Sequence, residues 1–148
     1  MKHLTLEIES YLGNVSLVSV AINAICLHAG LNGEQSNQVE LCIVEALTNV
    51  ILHAYQGEEH CEVVIEVSVD RERLGFDLYD TGMTMDADKV DSLVNGEGVL
   101  ECESIDPRSL PESGRGLQII RSVMDEVAYT REGNMNHLTL TKWIPTQV

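Results

Sequence analysis

Read for where apolar residues recur, the chain switches between a period of two and a period near 3.6. Lys2 to Glu9 alternates, with Leu4, Leu6 and Ile8 on one side, and predicts a strand. Asn14 to Ala29 predicts a helix with Asn14 as its N-cap, ended by the Gly30-Leu31-Asn32-Gly33 turn. Its apolar residues form two stripes, Val15, Val18, Ile22, Ile25 and Ala29, then Leu17, Val20, Ala24 and Leu27. A helix apolar most of the way round is either a central core helix or one with a face for another chain. Glu34 to Tyr55 predicts a second, longer helix, with Val39, Ile43, Ala46, Leu47, Val50 and Ala54 as its apolar stripe.

Further along, Cys61 to Val69 and Leu74 to Asp80 alternate on either side of Asp70-Arg71-Glu72-Arg73 and predict a hairpin. Thr81 to Ser113 has poor periodicity, broken by Gly82, Gly96, Gly98, Pro107 and Pro111, with a helical turn or two at Ala87 to Val94. An irregular stretch this long in a small domain is a lid or binding loop, or else an acidic insertion without fixed structure. Gly114-Arg115-Gly116 opens a helix carrying Leu117, Ile120, Val123 and Met124 on one face. Strands over Glu126 to Glu132 and His137 to Ile144 follow, joined at Gly133-Asn134. The order predicts a single α+β domain over residues 1–148, a two-layer sandwich with helices on one face of a mixed, mostly antiparallel sheet.

Within the long helix, Glu45, Asn49 and His53 stand at i, i+4 and i+8 and stack in a polar column beside the apolar stripe. Burying such groups unpartnered costs roughly 1–3 kcal/mol each, and more for the charge. They are therefore satisfied within the protein or face a ligand. Asp80-x-Gly82 at a strand end and Gly114-x-Gly116 at a helix start supply two further features that could meet the same ligand. Backbone N–H groups at a glycine-opened helix suit phosphate oxygens, an amide oxygen suits Mg²⁺, and a lone Asp can accept from an exocyclic amine.

Charge narrows the choice of ligand and partner. Twenty-four Asp and Glu against nine Lys and Arg leave a net charge of -15, which repels phosphate backbones and anionic membranes. Neither nucleic acid nor a membrane is an expected partner. Before Arg71 the only Lys or Arg is Lys2, so an anionic nucleotide would need backbone N–H groups, a metal ion and a few placed side chains. The start of the chain lacks the n-region and h-region of a signal peptide, and a cytoplasmic location is expected. Cys26, Cys42, Cys61 and Cys102 show no CxxC pair; Cys26 and Cys42 fall in apolar helical patterns as small core residues.

In their order and spacing, Glu45-Ala46-x-x-Asn49-x-x-x-His53-Ala54-Tyr55, Asp80-x-Gly82 and Ser113-Gly114-Arg115-Gly116-Leu117, followed by Met124-Asp125-Glu126-Val127, resemble the Bergerat-type nucleotide fold. The likeness is nearest to its anti-sigma-factor serine/threonine kinase branch among the histidine kinase-like ATPases. The resemblance implies ATP and Mg²⁺ as ligands, with Asn49 coordinating the metal and Glu45 accepting the proton of the attacking hydroxyl. It implies Asp80 on the adenine amine, Gly82 making room for the ring, Ser113, Gly114, Gly116 and Leu117 closing the phosphate end, and residues 84–113 as the ATP lid. His53 fits the pattern in either a phosphate-side or a structural role.

Two departures stand out. Where some relatives carry a basic residue before the Ser-Gly, this chain has Glu112, so Arg115 or Arg108 would substitute. His137 is expected in the place of a Thr that supports the adenine-binding carboxylate. By the same resemblance the partners are a STAS-domain anti-anti-sigma protein and a sigma factor or other target, with a homodimer on the second stripe of the first helix. The alternative is a nucleotide-gated binding module that transfers little phosphate, and a detached histidine-kinase-like domain is a third.

Overall fold

Leu4, Leu6 and Ile8 face Val67, Ile65 and Val63, because β1 (Lys2–Glu9) runs antiparallel to β2 (Glu62–Val69). The computed structural model describes residues 1–96 and 112–146, the side chains of 112–114 excepted; Cys102, Arg108 and half of the expected lid, residues 97–111, lie outside them. A tight turn leads to β3 (Arg73–Asp80), and Oδ1 of Asp70 closes it by accepting from the N–H groups of Glu72 and Arg73 at 2.8 and 2.9 Å. Those bonds hold the Asp70 carboxyl below its ordinary range. Beyond β3 lie β5 (Met135–Trp143) and then β4 (Glu126–Glu132), giving the order β1-β2-β3-β5-β4.

Every pairing among the described residues is antiparallel, which corrects the expectation of a mixed sheet. β3 and β4 do point the same way, but β5 lies between them, so no parallel pair forms. Helices cover the inner face, where Val63, Ile65, Phe76, Leu78 and Leu140 are buried against Ile43 and Leu47 of the second helix. The fold is thus the α+β sandwich that the alternation predicts.

The first helix, α1 (Leu12–Ala29), begins two residues before Asn14 and follows Tyr11, whose side chain caps nothing. Asn14 instead donates to the carbonyl of Glu9 at 3.1 Å, tying the helix back to β1. Gly30 ends the helix at a φ of 111°, a left-handed conformation that glycine adopts without strain. One stripe, Val15, Val18, Ile22 and Cys26, is buried, while Leu17, Val20 and Leu27 of the other are exposed at 71%, 68% and 50%. By length and a hydropathy of 1.6, α1 is also apolar enough to cross a membrane, yet here its buried stripe belongs to the core.

The second helix, α2 (Gly33–Asn49), starts with a capping box in which Asn32 Oδ1 accepts from the N–H of Gln35 and Gln35 Oε1 from that of Asn32. It does not run unbroken to Tyr55. A π turn over Val50–Ala54 replaces the last turn, with the N–H of Tyr55 reaching the carbonyl of Val50. α3 (Ala87–Asn95) matches the expected helical turns, and α4 (Glu112–Val123) begins two residues earlier than the glycines suggest. The buried thiols of Cys26 and Cys42 are both pushed up to about 12 by desolvation, as befits core residues.

Phe76, fully buried on the central strand, tests this core. Phe76→Ala should lower stability by about 3–5 kcal/mol through lost burial and the cavity left behind. Urea unfolding followed by far-UV circular dichroism measures it.

Candidate functional site

Where the C-terminal half of α2 leaves the core, it forms one wall of an open cavity of about 210 Å³. Asn49 and His53 come from this wall, His53 by way of the π turn, and both remain on the cavity side. The floor is Leu78 and Asp80 of β3 with Leu138 of β5; Met85, just before the helix Ala87–Asn95, and Lys89, in its first turn, also line the cavity. Leu117 and Ile120 of α4 and Tyr129 of β4 close the sides. Apolar walls with few polar groups suit a flat ring held by one or two directed hydrogen bonds.

Asp80 is the most constrained of these groups. It is 7% exposed, and its Oδ1 accepts from the N–H of Gly82 at 2.9 Å and from Asn136 Nδ2 at 2.8 Å. Among the described residues nothing bonds its Oδ2. Burial pushes its carboxyl above the ordinary range, while the bonds from Asn136 and Gly82 and the charge of Arg131 pull the other way. Arg131 Nη1 donates to Asn136 Oδ1 at 2.9 Å and to the carbonyl of Gly82 at 3.2 Å. The amide of Asn136 is thereby turned with its NH₂ toward the carboxylate.

This network corrects the expectation for His137. Asn136, not His137, stands opposite Asp80 in the β3–β5 register and supports it. His137 lies one residue on, hence on the outer face of the sheet. There its Nε2 meets Asp77 Oδ1 at 2.6 Å and its ring stacks on Tyr79 with centroids 4.3 Å apart.

The two described glycines of the motif act through backbone proximity. A Cβ at Gly82 would lie 2.5 Å from the carbonyl oxygen of Ala54, so the space it leaves is taken by the π turn, and the N–H of Met83 bonds that same oxygen at 2.8 Å. A Cβ at Gly116 would lie 2.5 Å from Glu45 Oε2. Gly116 thus lets α4 come close to the acid one turn before Asn49. Glu45 itself is half-buried at this contact and does not line the cavity. Arg115 is half-buried, and Ser113 and Gly114 fall in the first turn of α4.

The order of these elements is that of a known family. Residues 8–142 match the model of the histidine kinase-like ATPase domain. The chain belongs to this family. Among curated relatives, the serine-protein kinase RsbW of Listeria monocytogenes serovar 1/2a is 26% identical over 141 residues, covering 95% of this chain and 87% of the relative. RsbW of Bacillus cereus strain AH187 is 27% identical over 130 residues, covering 88% and 78%. Among solved structures, the SiaB-SiaC complex from Pseudomonas aeruginosa superposes with a TM-score of 0.61 at 14% identity, over 95% of this chain and 88% of that one. The Acinetobacter baumannii histidine kinase AdeS gives 0.54 at 12%, over 99% and 69%.

A histidine kinase-like ATPase domain implies ATP as ligand, and the residues present fit it. A buried carboxylate with one oxygen unused can accept from a base amine, and the apolar floor can take the ring. Among the described residues no group of three or more His, Cys, Asp and Glu could hold a metal. Of the residues lining the cavity, Asn49 carries an amide oxygen of the kind that could serve a hard cation bound with phosphates.

Asn136, Arg131, Lys89 and Tyr129 were not legible as site residues. Asn136 alternates with Leu138 and Leu140, which marks it as inward, but only the strand register puts it against Asp80.

Asp80→Asn separates fold from binding. An Asn oxygen can still accept from Gly82 and Asn136, and no charge is buried. Because the folded-state carboxyl of Asp80 is raised, its contribution to stability is present at low pH and lost as pH rises through the carboxylate range. The variant should thus match the wild type in acid, become relatively more stable toward neutral pH, and lose ATP binding by calorimetry. Melting curves across that pH range check the sign.

Proposed function

We propose that this chain is an ATP- and Mg²⁺-dependent serine/threonine protein kinase acting as an anti-sigma-type regulator in a partner-switching pathway. The observation that carries the reading is convergence: Asn49, Asp80 and Leu117 come from three distant stretches and line one cavity, with Glu45 held one helical turn from Asn49 by α4. The relatives named serine-protein kinases support the same class.

On this reading Asp80 accepts from the adenine amine, and its Asn136–Arg131 support keeps Oδ2 facing the ring. Asn49 and His53 lie toward the phosphates, where Asn49 coordinates Mg²⁺; the bound ion neutralises charge on the phosphate oxygens. Glu45 takes the proton of a partner Ser or Thr hydroxyl as that oxygen attacks the terminal phosphorus and ADP departs. The first turn of α4, with Ser113, Gly114, Arg115 and Gly116, closes the phosphate end.

The partners are a STAS-domain anti-anti-sigma protein as phosphoacceptor and a sigma factor or other target held by the kinase. A net charge of -15 suits a basic target, since complementary charge steers association. α1 carries no Asp, Glu, Lys or Arg over its 18 residues and exposes Leu17, Val20 and Leu27. That uncharged face is where two copies of so acidic a protein could meet as a homodimer. The work of such a regulator is cytoplasmic.

Labelled ATP with Mg²⁺ and a STAS partner should put label on a partner Ser or Thr, and Glu45→Gln should reduce transfer by roughly two to four orders of magnitude while ATP still binds. Binding without transfer in the wild type would favour the gated binding module. Asn49→Ala should weaken binding of Mg·ATP far more than of metal-free ATP; equal losses by calorimetry would remove Asn49 as the metal ligand.

A further inference from the structure

A protein this acidic must still hold a polyanion, and its cavity carries two carboxylates, Asp80 and Asp86. Like charges gathered in a partly enclosed site repel unless a cation intervenes. Among the described residues the motif offers none within the cavity, whose lining does not include Arg115. Elsewhere near the site the cations are engaged. Arg121 donates to the carbonyls of Val94 and Gly96, Arg131 to Asn136 and Gly82, and Lys142 to the carbonyl of Val123.

Lys89 is different. Among the described residues it is the one Lys or Arg lining the cavity, and it is half-buried there, in the first turn of α3. Asp86, Asp88 and Asp91 stand within three residues of it, Asp86 at the i−3 spacing that favours a surface ion pair. Yet Lys89 makes no ion pair or hydrogen bond with any described residue, and Asp91 is engaged by Asn95 Nδ2 at 3.2 Å. An ammonium group that lines a ligand cavity and pairs with none of the described carboxylates is placed for an anion. α3 is itself fixed at both ends: Tyr129 OH accepts from the N–H of Met85 at 3.0 Å, and Arg121 caps the carbonyls at its C-terminus. Lys89 is therefore presented to the cavity from an element tied at both ends.

We infer that Lys89 is a nucleotide phosphate ligand, lining the same cavity as Asn49 and His53 and supplying the positive charge missing at Glu112. The inference rests on the nucleotide reading of this cavity and adds to it a residue that contacts the anionic part of the ligand.

The test compares ligands that differ in phosphate alone. Calorimetry on the purified chain with adenosine, ADP and metal-free ATP should show Lys89→Gln weakening ADP and ATP by about ten-fold, the worth of one charge-assisted hydrogen bond. Adenosine affinity should stay unchanged, and Lys89→Arg should restore the nucleotides. Unchanged ADP and ATP affinities in Lys89→Gln, or an equal loss that includes adenosine, would overturn the role. A wild type that binds adenosine but gains nothing from phosphates overturns it as well, leaving the base site standing. One that binds none of the three removes the nucleotide reading itself.

Discussion

The site depends on holding one carboxyl group, Asp80, almost wholly out of water with its partners in place. A buried charge without partners is among the costliest things a fold can contain. Here the cost is met by Gly82 and Asn136 on one oxygen and by the guanidinium of Arg131 behind the amide. Each partner arrives from a different place: Gly82 from the chain just after β3, Asn136 from β5, Arg131 from β4. The order β3-β5-β4 brings them together, so the sheet topology and the polarity of the cavity are one constraint.

A second constraint is closeness of backbone. Gly82 sits against the carbonyl of Ala54, and Gly116 against the carboxylate of Glu45. At neither position is the φ left-handed, so the glycines serve contact between elements. α2 is thereby pinned at two levels, by the turn after β3 and by α4, and the polar groups between, Asn49 and Glu45, have little freedom to drift. Positioning of this kind is what phosphoryl transfer asks of a protein.

Much of this was legible in the sequence because period and spacing carry it. The alternation of Val63, Ile65 and Val67 and of Phe76 and Leu78 gave the sheet its inner face, and the Glu45–Asn49–His53 spacing put polar groups on one side of a helix. What was hidden depends on register and packing between distant segments. A one-residue choice separates Asn136 from His137 and sends them to opposite faces, and nothing local to either reports it. The start of α1 was misread because Asn14, a good capping residue, spends its amide on the carbonyl of Glu9. The π turn left no mark at all, since Val50 to Ala54 are residues that an ordinary helix accepts.

That π turn has a consequence for how this chain can vary over time. It is one residue longer than the α-helical path between the same ends, and both ends are anchored, at Asn49 by α2 and at Ala54 by the backbone of Gly82 and Met83. Deleting a residue within Val50–Ala54 would relax the segment to regular α-helix but swing His53 off the cavity wall. Inserting one would push Ala54 into the chain it supports. The loop that follows, with Gln56 and His60 exposed at positive φ, meets no such limit, so changes of length are expected to accumulate there and to be purged a few residues upstream.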